Sequence, residues 1–342
     1  MNSSLYQLWL SRLVQFFREP SAVFWTFGFP IILTLALGIA FRNRPPESAK
    51  VVVEDSPQAE AVRATFAAAN DIEATVQAPD AARTALRVGR ADLLVRPGTP
   101  ITYEFDATRP ESRLARLMAD RALQHAAGRA DALAVADRLV TEPGSRYVDF
   151  LVPGLIGVDV MSSGMWGVAY VIVEDRQKKL LKRLIATPMK RGEFLMSFVL
   201  MRVTFLFLEV PVLLAFARLV FDVPMRGSVA VLAALCLAGA LAFTGLGMLL
   251  AARARNTQTV NGLINLVQMP MFLMSGVFFS AARFPAVMQP LVKALPLTAL
   301  NDSLREVMNE GASFAAVLPR LLYLVAMAAV CFGLALKTFR WT

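Results

Sequence analysis

Apolar runs of about 20 residues recur along the chain, separated by short polar stretches and one long one. Six runs, at about 22–41, 151–173, 194–217, 229–251, 258–280 and 314–336, have the length an α-helix needs to cross a hydrocarbon core. Between the second and third sits EDRQKKLLKRLIATPMKRGEF, starting at Glu174. Asp175 to Thr187 holds no Gly or Pro and is rich in helix formers. Leu180, Leu181, Leu184 and Ile185 make one apolar stripe, with Lys178, Lys179, Lys182 and Arg183 around the other side. Pro188 disfavours helical geometry at Thr187 and predicts the end of the helix. Periodicity leaves two readings open: a helix lying on anionic lipid, or one docking a cytoplasmic partner.

The first 19 residues have a related character. Leu5, Leu8, Trp9, Leu13, Phe16 and Phe17 recur at helical spacing, and Arg12, Arg18 and Glu19 are polar interruptions. This predicts an interfacial helix over 1–21 with a break at Pro20 and Ser21. The run that follows is longer than a signal-peptide apolar core and precedes no small-x-small site, so a retained anchor is expected. The long polar stretch, 42–149, changes period. KVVVED, DIEATVQ, a strand at about 92–95 and ITYEFDATRP read as strands. PQAEAVRATFAAAN, APDAARTALRVG and ESRLARLMADRALQHAAGRADALAVADRLV read as helices. The order βαβαββα predicts a small α/β domain inserted between the first two spans.

Composition supports a polytopic α-helical membrane protein: 56% of the 342 residues are hydrophobic and only 18% charged, where a soluble domain has about 25% charged residues. The net charge of +9 is unevenly placed. Residues 42–149 carry 15 of the 35 basic and 16 of the 26 acidic residues, which leaves 20 basic and 10 acidic residues beside the apolar runs. Arg12 and Arg18, the cluster from Arg176 to Arg191, Arg253 and Arg255, and Lys337 and Arg340 all fall on one side of a six-span path. That side is expected to be cytoplasmic, with both termini inside and 42–149, 218–228 and 281–313 outside. This basic pattern is not a nucleic-acid footprint. His125 is the only histidine, and Cys236 and Cys331 lie in apolar runs, so no metal-ligand spacing, disulfide framework or Ser-His-Asp triad is expected.

Ionisable and amide side chains inside the apolar runs are costly and mark candidate function. Asp159 and Glu209 each lie about eight residues from the outer end of their runs, about 12 Å deep, and face the prospect of lining one polar cavity. Arg202 is placed to snorkel or to pair. Asn261, Asn265 and Gln268 share a face at i, i+4, i+7, and Ser162 and Ser163 add polarity to the second span. Interhelical hydrogen bonding, a path lining and a proton relay all remain open for this set. Met269, Met271, Phe272 and Met274 offer an adaptable apolar surface or plain packing. Residues 281–313, broken by Pro285, Pro290 and Pro296, predict short helices dipping into the outer leaflet. Arg305 there is left between lipid headgroups and a carboxylate such as Asp302 or Glu306.

Several stretches together resemble the membrane subunits of ABC-2 type transporters, the type V exporter architecture in its long bacterial form. The charged helix with Thr187-Pro188 before the third span carries the likeness. So do the Ser275-Gly276 break, Phe284-Pro285, Pro296-Leu297-Thr298 and Arg305 in the segment after the fifth, and VVVED, ALRVGRADLLVRPG and YEFDATRPES in 42–149. The resemblance covers nearly the whole chain. It implies that 174–189, with Glu174, Lys178, Lys179, Lys182, Arg183, Leu184, Thr187 and Pro188, is a coupling element resting on a separate ATPase. It also implies that the N-terminal helix, with Trp9, Arg12 and Phe16, is the connecting helix beside it. Two copies, or one copy and a paralogue, would line a path with spans two and five, where Asp159, Ser162, Glu209, Asn261, Asn265, Gln268 and Phe272 are the candidate lining. Pro285, Pro296, Thr298 and Arg305 mark the re-entrant cap. No GxxxxGK[ST] occurs, so ATP and Mg are expected on the partner, and the chain itself is expected to be no enzyme. The implied setting is a bacterial inner membrane, with lipid and a periplasmic adaptor as further candidate partners and a drug, lipid or other amphipathic molecule as export substrate. A proton-coupled secondary transporter and a non-transporting mechanotransmission subunit are the rival readings.

Overall fold

The computed structural model describes residues 4–42, 48–69, 71–129, 146–185 and 191–339. The chain divides into two compact units, Met1–Arg42 with Val140–Thr342, and Asn43–Leu139. The first unit opens with α1 (Ser4–Phe17), α2 (Pro20–Val23), a π turn over Phe24–Gly28 and α3 (Phe29–Arg42). Right-handed helical angles run unbroken through both junctions of the π turn, so Pro20–Arg42 is one rod.

The second unit follows as β1 (Ala49–Glu54), α4 (Ala59–Ala67), β2 (Ile72–Gln77), α5 (Pro79–Arg87), β3 (Leu93–Arg96), β4 (Thr102–Glu104) and α6 (Pro110–Ala126). The sheet order is β2-β1-β3-β4, with β1 parallel to both β2 and β3, and β4 antiparallel to β3. The period of two decides the two faces. Val51, Val53, Leu93 and Val95 point to one face and pack with Phe66 of α4 and Ala115 and Ala119 of α6. Val52 and Leu94 point to the other, against Ala82 and Ala85 of α5. Gly89, at φ +72°, makes the turn from α5 into β3 that a side chain would strain. The long helix predicted from Glu111 ends at Ala126, and its remaining stretch lies outside the described residues.

The first unit resumes with α7 (Tyr147–Gln177), α8 (Leu180–Ile185), α9 (Arg191–Phe221), α10 (Val229–Ala251), α11 (Thr257–Met274), α12 (Gln289–Ala294), α13 (Pro296–Arg305) and α14 (Phe314–Thr338). Among the described residues, α7, Gly192–Phe221, α10 and α14 are long and apolar enough to cross a membrane. The other two expected spans fall on the rod ending at Arg42 and on α11. The expected fifth span, to about 280, stops at Met274, because Ser275 leaves helical geometry and Gly276 takes φ +71°. α7 lies at the centre, against α3, α9, α10, α11 and α13. Gly247 of α10 faces α7 so closely that an added methyl would stand 3.0 Å from the carbonyl oxygens of Gly164 and Met165. Gly245, two residues earlier, faces α14 at Cys331 and Ala328. The two glycines thus serve close packing on two different neighbours.

Candidate functional site

The charged stretch between α7 and α9 differs from the single helix expected there. Glu174 to Gln177 belong to α7. Lys179, at φ +59°, then breaks the chain, and only Leu180–Ile185 form the short α8. Glu174 and Lys178 pair at 2.7 Å across one turn, which holds the last turn of α7 up to the break. Leu181 is buried and Arg183 exposed. The side chains of Lys182 and Leu184 are not described, and Thr187 and Pro188 lie outside the described residues. Arg176 turns the other way. Its guanidinium donates to the carbonyl oxygens of Ala251 at 2.9 Å, Ala252 at 3.3 Å and Ala254, all at the end of α10. It satisfies carbonyls that a helix C-terminus leaves open.

The N-terminal helix closes this corner. Trp9, Arg12 and Phe16, at i, i+3, i+7, all face α9. Trp9 Nε1 donates to Thr204 Oγ1 at 3.1 Å, and the Phe16 ring sits 4.3 Å from that of Phe205. Arg12 is not the polar interruption its spacing suggested, because it is buried. It donates to Ser197 at 3.2 Å and to Asp175 at 3.4 Å, and its guanidinium lies 3.6 Å over the Phe198 ring. Burial lowers its pKa to about 10 against the opposing pull of Asp175. One side chain therefore ties α1 to the end of α7 and the start of α9, the two helices that flank α8. The sequence reading missed Asp175, Ser197, Phe198 and Thr204, since nothing in their own spacing connects them to residue 12.

A second polar group lies between α7, α9 and α11. Arg202 and Glu209 pair at 2.6 Å with both side chains under 5% exposed. This settles pairing over snorkelling for Arg202. Asp159 of α7, half-buried, lies within electrostatic range of both. Gln268 crosses from α11 to α7, donating to Ser162 Oγ at 2.9 Å and accepting from Trp166 Nε1 at 2.7 Å. Gln268 thus makes the interhelical bond left open by the sequence. Asn265 faces outward on the exposed side of α11 with Leu266 and Met269, and Asn261 is partly buried with Oδ1 lacking a partner. The shared face of Asn261, Asn265 and Gln268 is therefore split. Phe272 packs edge-on to Phe278, centroids 5.1 Å apart.

The segment after α11 is stitched to the first turns of α7. Arg305 donates to the carbonyl of Phe150 at 3.1 Å and to that of Gly276, and stacks 3.7 Å over the Phe150 ring. Asp302 is a looser neighbour at 3.7 Å. Glu306 pairs instead with Arg320 at 2.6 Å. Backbone carbonyls, rather than headgroups or Glu306, are thus the main partners of Arg305. Its pKa falls to about 10 through burial. Asn301 donates to the Ser275 carbonyl at 3.0 Å, and Tyr147 to that of Phe278 at 2.9 Å. Pro285 precedes a 3₁₀ turn, Pro296 opens α13, and Thr298 is buried with its hydroxyl oxygen lacking a partner.

Several known proteins are similar to this chain in sequence. The chain is 23% identical over 208 residues to the probable multidrug ABC transporter permease YbhS of Escherichia coli K12, covering 60% of this chain and 55% of that protein. It is 26% identical over 176 residues to the linearmycin resistance permease protein LnrN of Bacillus subtilis 168, covering 52% and 46%. It is 24% identical over 195 residues to ABC transporter G family member 20 of Dictyostelium discoideum, covering 54% and 27%. The chain spans about half, or less, of the length of these curated relatives. A family model described as ABC-2 family transporter protein matches residues 20–337. With nearly the whole chain matched and, among the described residues, four apolar helices of spanning length, the protein belongs to the ABC-2 transporter family.

Proposed function

We propose that the chain is the permease half of an ATP-driven exporter that works as a two-fold dimer, or with a paralogue, on a separate ATPase. Six helices cross a bacterial inner membrane in this reading, with both termini in the cytoplasm and Asn43–Leu139 outside. The Arg12 node is the observation that carries it. A push on α8 or α1 is transmitted to α7 and α9 together, because Arg12 bonds to both. Such a joint is what a subunit needs if its energy comes from elsewhere. ATP and Mg bind to the partner, whose closure moves α1 and α8, and α7 and α11 shift to release an amphipathic substrate such as a drug or lipid on the outer side. The stitched segment from Gly276 to Arg305 caps the exit. The basic residues from Lys178 to Arg183 meet the ATPase, lipid headgroups, or both in turn.

Co-purification from native membranes tests the reading. A Walker-A-bearing ATPase is expected to accompany the chain, with vanadate-sensitive ATP hydrolysis. Charge removal at Lys182 and Arg183 together is expected to abolish stimulation of that hydrolysis in reconstituted vesicles. Stimulation at the unaltered level in that double variant would falsify the assignment of 174–189 to ATPase coupling.

A further inference from the structure

The polar group around Arg202 holds two carboxyl groups, Asp159 and Glu209, to one guanidinium. Arg202 is neutralised by Glu209 at 2.6 Å. Asp159 adds a second carboxylate, and no hydrogen bond or ion pair reaches that carboxylate among the described residues. The surrounding elements supply no further cation. Residues 29–40 of α3, and all of α10 and α11, contain no charged residue. α10 brings only the thiol of Cys236. On α13, Arg305 is taken up by Phe150, Gly276 and Asp302. Within the group Arg202 Nε and Nη2 and Glu209 Oε1 are buried and lack hydrogen-bond partners. With Asp159 ionised, the group sums to one negative charge at a depth where an uncompensated charge is costly.

The negative group also has an apolar neighbour of the right length. Ser162, Ser163 and Trp166 follow Asp159 at i+3, i+4 and i+7 on α7, so the indole stands about 10 Å along the helix from the carboxylate. Gln268 holds the indole by its Nε1, while Phe272, one turn further along the antiparallel α11, lies back toward the level of Asp159. A carboxylate at one end and aromatic surface at the other match a cationic head on an apolar body.

We propose that Asp159 is a recognition site for a monovalent organic cation, a protonated amine or quaternary ammonium on an apolar body. The proposal rests on the permease reading above and adds its substrate class. Arg202 and Glu209 act as positioning residues: their pair prevents the arginine from neutralising Asp159 and leaves the negative charge for the ligand.

Tetraphenylphosphonium and tetraphenylborate test it, since they have nearly the same shape and opposite charge. Equilibrium binding of each to the purified full chain in neutral detergent gives a ratio of affinities. The wild type is expected to favour the cation at least tenfold. Asp159→Asn is expected to lose that preference, and Asp159→Glu to keep it, with both variants checked for melting. If Asp159→Asn does not fold, Asp159→Ser and the wild-type ratio decide. Equal binding of the two ions by the wild type, as a proton resident on Asp159 would give, overturns the proposal. So does an unchanged ratio in a folded variant lacking the charge. Recovery of the ATPase is scored separately. A chain with the cation preference but no ATPase keeps the site and removes the permease reading, while an ATPase recovered without the preference removes the site alone.

Discussion

Two kinds of arginine hold the membrane unit together. Arg305 and Arg176 bond to backbone carbonyls, at Phe150 and Gly276 and at the end of α10. Arg12 and Arg202 bond to side chains, Asp175 and Ser197 in one case and Glu209 in the other. A carbonyl can leave its donor only if the chain around it moves, so Arg305 makes the segment from Gly276 to Arg305 and the start of α7 one body. A carboxylate can change rotamer and exchange partners while its helix stays folded. The contrast places rigid joints at Arg305 and Arg176 and a yielding one at Arg12, where a transport cycle needs movement between helices; Arg202 and Glu209 pair within α9.

The largest effect is expected where the buried ion pair within α9 is broken. Glu209→Gln breaks the buried pair and leaves the Arg202 guanidinium with only the more distant Asp159 carboxyl, a loss of about 3–5 kcal/mol, read as a lower melting temperature in detergent. Replacing both, with Arg202→Met and Glu209→Leu, should recover most of it, since a buried pair is close to neutral against apolar residues of similar volume. A double variant no more stable than Glu209→Gln would mean the pair has further partners. Next comes Arg305→Gln, at about 2–3 kcal/mol for hydrogen bonds to a charged donor. Arg305→Lys should not rescue it, because one ammonium cannot reproduce the planar fork that meets two carbonyls and a ring face. Rescue by lysine would remove the rigid-joint description.

Arg12→Gln separates the two classes most directly. Its melting shift should be smaller, about 1–2 kcal/mol, while substrate-stimulated ATP hydrolysis by the reconstituted complex falls. If melting drops as far as in Arg305→Gln with coupling intact, Arg12 is a rigid joint and the comparison fails. Lys178→Ala is the smallest case. Its pair with Glu174 is exposed, and such pairs contribute little, so no measurable change in melting is expected.

The succession of helices and strands along Asn43–Leu139 was legible because burial acts residue by residue, while the order of strands in the sheet was not read. Val51, Val52 and Val53 alternate faces whatever partner covers them, and α7, α10 and α14 announce themselves by length and apolarity. The break at Lys179 was not legible. Lysine is an ordinary helix former, and its positive φ reflects how α7 and α8 must diverge. The fifth span was read six residues too long, although the Ser275-Gly276 break was in view, because apolarity continues through Val277, Phe278 and Phe279 after the helix has ended.

Among the candidate site residues, Trp9, Arg12 and Phe16 were recognisable as one helix face. Their partners were not, since Arg12 and Asp175 are 163 positions apart. Asp159, Arg202 and Glu209 stood out individually as charges in apolar runs. Depth alone suggested that the two acids lie level, and left open whether the arginine joined them.

The sequence by itself determined what must be buried in lipid or protein and where basic charge gathers. Those properties depend on each residue's own transfer energy and on local periodicity. Only the tertiary structure decided which polar groups meet. It set Asp159 of α7 beside the Arg202–Glu209 pair of α9, gave Arg305 to carbonyls, and set Arg12 between α7 and α9. Pairing is decided by helix packing at distances under 4 Å, and residues dozens to hundreds of positions apart carry no mark of it in their own order.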